Sequence, residues 1–131
     1  MNHRFATLSA VALALACSLA PAQSASSRAS FRCGGVGQDE QQQFKAEASR
    51  HHALLTFALS GGAYLSDVDF RIADSRGNVV LEGRCGGPLM LLDLPGRGSY
   101  QVTATYGGKA QSKTVAVGTK PSRATFVWPG A

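Results

Sequence analysis

Two adjacent histidines, His51 and His52, are the first residues in this chain whose chemistry invites a site. Imidazoles bind Zn²⁺ or Cu²⁺ and relay protons. Neighbouring side chains diverge on a helix or a strand, however, and no third ligand stands at a matching spacing. Capping of a helix end or plain surface exposure is the simpler reading. Asp67 and Asp69 lie two apart, so on a strand they share a face and could form an acid pair or a Ca²⁺ site. Val68, Phe70 and Ile72 alternate with them, which equally makes the acids the solvent side of an amphipathic strand, with Arg71 as a compensating charge. Cys33 and Cys85 are too far apart for a CxxC redox motif. A structural disulfide between them is expected in an oxidising compartment, with redox or metal-binding thiols as the other reading. Nucleophilic catalysis has no visible carrier: there is no Gly-x-Ser-x-Gly elbow. No catalytic residue, metal or cofactor is assigned on these grounds.

The elements that must position these residues begin after a processing segment. Met1–Arg4 carries one fixed positive charge, Phe5–Ala20 is almost wholly apolar, and Ala20-Pro21-Ala22 offers small residues to a signal peptidase. Residues 1–22 are therefore expected to be a secretory signal peptide cleaved after Ala22. The apolar run of about 16 residues falls short of the roughly 20 that a membrane helix needs. Ala14-Leu15-Ala16-Cys17 also resembles a bacterial lipoprotein box, so lipid attachment at Cys17 is the alternative. The first reading gives a periplasmic protein, the second a tethered one.

The mature chain of residues 23–131 suits one domain with one core. It loses only Arg4 among its charges, so the net charge falls from +5 to +4. The charges are scattered, without a run of Lys or Arg. The aromatics sit in apparent strands rather than beside basic residues. This balance does not indicate nucleic-acid binding.

Residues 23–35 are Ser-rich and read as an extended arm. Residues 36–52 hold many helix formers and no proline, which predicts a helix from about Asp39 to Arg50. Asp39 and Glu40 lie at its favourable end for acids, His51 and His52 at its favourable end for cations. Val36, Phe44 and Ala48 form a narrow apolar stripe. From residue 53 the pattern turns to β. Strands are predicted at 54–59, around Val68–Ile72, at 79–84, 89–94, 100–106, 113–117 and 124–128, with turn chemistry at Asp74–Asn78 and Gly107-Gly108. Residues 89–94, LMLLDL, are apolar on both faces, which predicts a central or helix-covered strand. Seven short strands without βαβ alternation predict an all-β, seven-stranded antiparallel sandwich, prealbumin- or Ig-like, over residues 53–131, preceded by one short helix.

Residues 74–117 carry a family likeness. Asp74 and Gly77, an apolar strand, then Leu94-Pro95-Gly96 and Tyr100, an alternating strand, a Gly turn and a Val-rich strand resemble the carboxypeptidase regulatory-like domain, a prealbumin-like sandwich. The chain is similar to small exported proteobacterial proteins that carry only this domain. The resemblance implies a fold and a periplasmic address, and no reaction, because the domain is an accessory module. It gives Pro95, Gly96 and Tyr100 a structural role: the Tyr100 hydroxyl should bond backbone near the Pro95-Gly96 corner. Zinc carboxypeptidases need a His-x-x-Glu pair, which the mature chain lacks. Hydroxyisourate hydrolases, also in the prealbumin-like group, use separated histidines, an arginine and a terminal Tyr-Arg-Gly-Ser. Here the mature histidines are His51 and His52, and the end reads Phe126–Ala131.

The expectation is a non-enzymatic exported module that binds or scaffolds in the cell envelope. Its partner would be an envelope protein or polymer, met through loops at Gly61–Tyr64 and Gly86–Pro88 or a sheet edge. The alternative is a small-molecule or metal-binding periplasmic protein, or enzyme, using His51, His52, Asp67 and Asp69.

Overall fold

The structure, a computed structural model, describes residues 28–131. The expected signal peptide of residues 1–22 and its alternative, lipid attachment at Cys17, lie outside the described residues. Eight strands form two four-stranded sheets. They are β1 (Ser30–Gly34), β2 (Ala53–Leu59), β3 (Val68–Ala73), β4 (Val79–Cys85), β5 (Leu89–Asp93), β6 (Gly98–Tyr106), β7 (Lys109–Val117) and β8 (Ser122–Trp128). One sheet runs β1-β5-β2-β8, the other β4-β3-β6-β7. The inner faces meet in one core that includes Leu55, Phe57, Val68, Ile72, Met90, Val102, Phe126 and Trp128. The side-chain period of two supplies this core directly: each inward residue alternates with an outward one.

All seven predicted strands are present, and an eighth precedes them. The Ser-rich arm contains β1, which pairs antiparallel with β5 from Ser30↔Asp93 to Gly34↔Leu89. Only Phe31 and Cys33 of β1 face inward, too few to write a periodic signal. Nor is the sandwich antiparallel throughout. β8 runs parallel to β2, from Ala53↔Ser122 to Leu59↔Trp128. The chain leaves β7 at the end where β2 begins, so β8 starts beside β2 and follows it. The Ser122 amide donates to His52 O at 2.9 Å and fixes the register.

The helix is shorter than predicted. α1 covers Gln38–Glu47, and Ala48–Arg50 tightens into a 3₁₀ turn. His51 and His52 lie beyond it in a bend that leads into β2, with His51 itself extended. No side chain caps from Gly37, but Glu40 Oε1 accepts the Gly35 and Val36 amides at 2.8 and 3.0 Å, satisfying donors ahead of the helix. Phe44 and Ala48 bury against Leu54, Leu89 and Leu91. Val36 does not join this stripe; it is 68% exposed. β5 is thus both central in its sheet and covered by the helix, which explains why it is apolar on both faces.

Two turns fix the second sheet. At Asp74–Asn78 the Asp74 carboxylate accepts the Arg76 and Asn78 amides, each at 2.9 Å, and Gly77 takes φ 88°. The Asn78 amide leads in holding the Asp74 carboxyl below its ordinary value. At the other corner the Tyr100 hydroxyl donates to Gly96 O at 2.9 Å and lies 3.1 Å from the Gly96 amide, which donates to it. The ring is buried. Tyr100→Phe is expected to cost about 1 kcal/mol, the net worth of such a bond. Denaturant unfolding of the two proteins measures it, and an unchanged midpoint would assign the role to the ring alone.

Candidate functional site

Two places hold side chains arranged for recognition or chemistry. The first is the junction between the 3₁₀ turn and β2. His51 Nδ1 lies 2.8 Å from Asp93 Oδ2, at the end of β5. The carboxylate can only accept, so the ring proton sits on Nδ1 in this contact. His52 turns the other way. Its Nδ1 accepts the Leu94 amide at 2.8 Å, so the neutral ring carries its proton on Nε2. The His52 amide donates to Leu92 O at 3.0 Å, and its carbonyl receives Ser122. The two imidazoles diverge, one bonded to the Asp93 carboxylate and the other to the Leu94 amide. They are bolts between β5, β2 and β8, immediately before the Pro95-Gly96 corner. Both rings also line a cleft with Arg50, Thr119 and Lys120.

The second place is the outer face of the β4-β3-β6-β7 sheet. Register sets Asp69 opposite Arg84 and Arg71 opposite Glu82. Arg84 Nε donates to Asp69 Oδ1 at 2.9 Å, and Arg71 Nε approaches Glu82 Oε1 at 3.6 Å. The four charges form a checkerboard, bordered on β6 by Thr103 and Thr105, which face the same way. Together they line an open groove of about 680 Å³. The hydrogen bond from Asp69, then its charge and that of Asp67, raise the Arg84 guanidinium above its already high value. Exposed pairs of this kind add little stability, a median of about 0–1 kcal/mol. Their consequence is a polar surface with both signs of charge interleaved.

Asp67 departs from the expected strand geometry. It precedes β3 and takes φ 61°, in the left-handed region that Asp adopts more readily than most residues. It therefore does not sit on a common strand face with Asp69, although both act on Arg84. The compensating cation is Arg84 rather than Arg71, because cross-strand register places Arg71 against Glu82. Nor are the histidines and these acids brought together. His52 contacts the start of β8. Asp69 pairs with Thr105, close to where the Trp128 indole at the end of β8 donates to Lys109 O. The two pairs lie at opposite ends of the sandwich. Among the described residues no three His, Cys, Asp or Glu side chains gather to hold a metal ion.

Cys33 and Cys85 form a disulfide with a Cα–Cα distance of 5.5 Å. It joins edge strand β1 of one sheet to edge strand β4 of the other. Such a bond is compatible with an oxidising, exported location. Phe31 crosses the same seam and meets Phe70 edge to face, with ring centroids 4.8 Å apart. Of the loops expected to bind a partner, Gly61–Tyr64 is exposed. Gly86–Pro88 is largely not: Gly87 and Pro88 are buried, and a Cβ on Gly87 would collide with the Gly34 backbone. That loop packs under β1 and leaves only Gly86 exposed. Sequence reasoning missed Asp93, the partner of His51, and Arg84 and Glu82. Their signals lie in strand pairing, not in local spacing. Among the described residues no helix is long and apolar enough to cross a membrane. No protein-family model matches the chain, and no curated protein matches it.

Proposed function

We propose that this protein is a non-enzymatic binding or scaffolding module of the bacterial cell envelope, and that it meets its partner through the outer face of the β4-β3-β6-β7 sheet. One observation carries this reading. Asp69, Arg71, Glu82 and Arg84 present paired donors and acceptors beside Thr103 and Thr105, in an open groove on the sheet face. Such a face suits the hydroxyl- and amide-rich surface of an envelope polymer or protein, where placed hydrogen bonds give specificity. The Cys33–Cys85 bond supports export to the periplasm.

Membership of the carboxypeptidase regulatory-like, prealbumin-like group is part of the same proposal. The Asp74–Asn78 turn and the Tyr100 corner support it. So does the strand order, which differs from the immunoglobulin arrangement. There the first strand pairs with the second; here β1 pairs with β5, which separates it from β2. The group's accessory role accords with a surface that binds and does not react.

Thr105→Trp fills the groove with a residue that strands tolerate well. Mature wild-type protein is expected to be retained by a purified envelope fraction, and the variant to lose most of that retention while melting normally. Equal retention of both would remove the sheet face from the proposal. Retention that disappears in moderate salt alone would instead mark non-specific attraction of a basic protein to anionic polymer.

A further inference from the structure

We infer that the cleft beside the His51–His52 junction is a binding site for a phosphate group. It stands apart from the sheet-face reading and lies at the other end of the sandwich. The cleft has a volume of about 180 Å³, below the roughly 300–1,000 Å³ of pockets that enclose drug-sized ligands and suited to a small ion or a single headgroup. Its walls carry two permanent cations, Arg50 and Lys120, two imidazoles, His51 and His52, and two hydroxyls, Ser49 and Thr119. None of its lining residues is acidic. The nearest carboxylate, Asp93, is engaged by both histidines: it accepts from His51 Nδ1 at 2.8 Å and from the His52 amide at 3.3 Å, and lies 4.0 Å from His52 Nδ1.

The hydrogen bonds already described decide what the rings can offer. Since His52 Nδ1 accepts the Leu94 amide, its remaining nitrogen, Nε2, is an N–H donor even when the ring is neutral. Its side chain is 40% exposed and so reachable. Among the described residues, no carboxylate pairs with Arg50 or Lys120, although Arg32, Arg71 and Arg84 all have one. Two unpaired cations, an imidazole N–H and two hydroxyl residues line one cleft, and the one neighbouring carboxylate, Asp93, is taken up by hydrogen bonds from the two histidines. That donor set matches a tetrahedral oxyanion, which accepts several charge-assisted hydrogen bonds at once. It does not match a metal ion, because a fixed N–H donor and two cations repel one. The phosphate could be free or could belong to a lipid headgroup; the chemistry at the site is the same.

Inorganic phosphate is the first probe, titrated into the mature protein with amide shifts followed by NMR and chloride as the ionic-strength control. Saturable shifts confined to residues 49–52 and 118–121 are expected, with a dissociation constant on the order of 1 mM. Arg50→Ala and Lys120→Ala, both at exposed positions that leave the fold intact, should each weaken binding about tenfold, the loss of one charge-assisted contact. The second probe is co-sedimentation with phosphatidylglycerol vesicles against phosphatidylcholine vesicles. Variant-sensitive binding to the anionic vesicles without binding of the free ion assigns a headgroup, and the reverse assigns a soluble phosphate. Absence of binding in both arms, shifts reproduced by chloride, or binding unaffected by the two variants overturns the inference.

Discussion

Reduction of the Cys33–Cys85 bond is expected to lower the melting temperature by well over 10 °C. The bond spans a sequence separation of 52 residues. In the chain-entropy model, closing a loop of that length stabilises the fold by about 4 kcal/mol. A domain near 100 residues shifts by roughly 4–8 °C for each kcal/mol. The location adds a second reason for a large effect. β1 is a five-residue edge strand held by one ladder with β5, the inward Phe31 and Cys33, and the Arg32–Glu47 pair at 2.7 Å. Once the bond opens, β1 is held to the second sheet by noncovalent packing alone, including the contact of Phe31 with Phe70 of β3. Cys85 is fully buried and Cys33 only partly so, which leaves the Cys33 side of the bond as the approach for a reductant. Cys33→Ser with Cys85→Ser gives the same comparison without reductant. Calorimetry of oxidised and reduced protein measures the shift, and coincident melts would mean that the ladder with β5 holds β1 unaided.

Trp128→Ala is expected to cost about 3–5 kcal/mol, the range for deleting a buried aromatic. The indole is 2% exposed and packs against Phe57, Phe126 and Tyr106, with ring centroids 6.4, 6.3 and 5.9 Å away. Its Nε1 donates to Lys109 O at 2.9 Å, tying the end of β8 to the start of β7 in the opposite sheet. Elsewhere the β7 and β8 edges are joined by side-chain bonds, Gln111 to Val127 O and Ser122 to Ala116 O. Trp128 therefore closes one seam of the sandwich as the disulfide closes the other. Trp128→Phe keeps much of the apolar volume and loses the donor, leaving Lys109 O to water. Its expected cost is smaller, by roughly 2 kcal/mol, because most of the transfer and cavity terms are retained. Equal losses for the two variants would show that the hydrogen bond dominates.

Much of this architecture is legible in local patterns. Val68, Phe70 and Ile72 announce β3 by alternation, Asp74–Asn78 announces a turn, and LMLLDL announces a strand covered on both faces. What could not be read depends on pairing between distant segments. β1 is a strand because β5 offers it an edge, not because its own residues alternate. The parallel pairing of β2 with β8 follows from which end of the sandwich β7 leaves. The candidate site behaves likewise. His51 and His52 are conspicuous in sequence, yet Asp93 sits 42 residues from His51 inside an apolar run. Arg71 is the cation nearest Asp69 in sequence, but register delivers Arg84 to it. In a strand, an offset of one residue reverses the face, so partner choice is a property of the ladder.

The most direct test of the binding role is site-specific photocrosslinking in living cells that export the protein. The crosslinking residue is placed at Thr105, in the sheet groove, and separately at Thr125, an exposed position on the outer face of the other sheet. An adduct with an envelope component at Thr105, absent at Thr125 and competed by unlabelled mature protein, is the predicted result. Adducts at Thr125 alone, or equal adducts at both positions, would contradict the account.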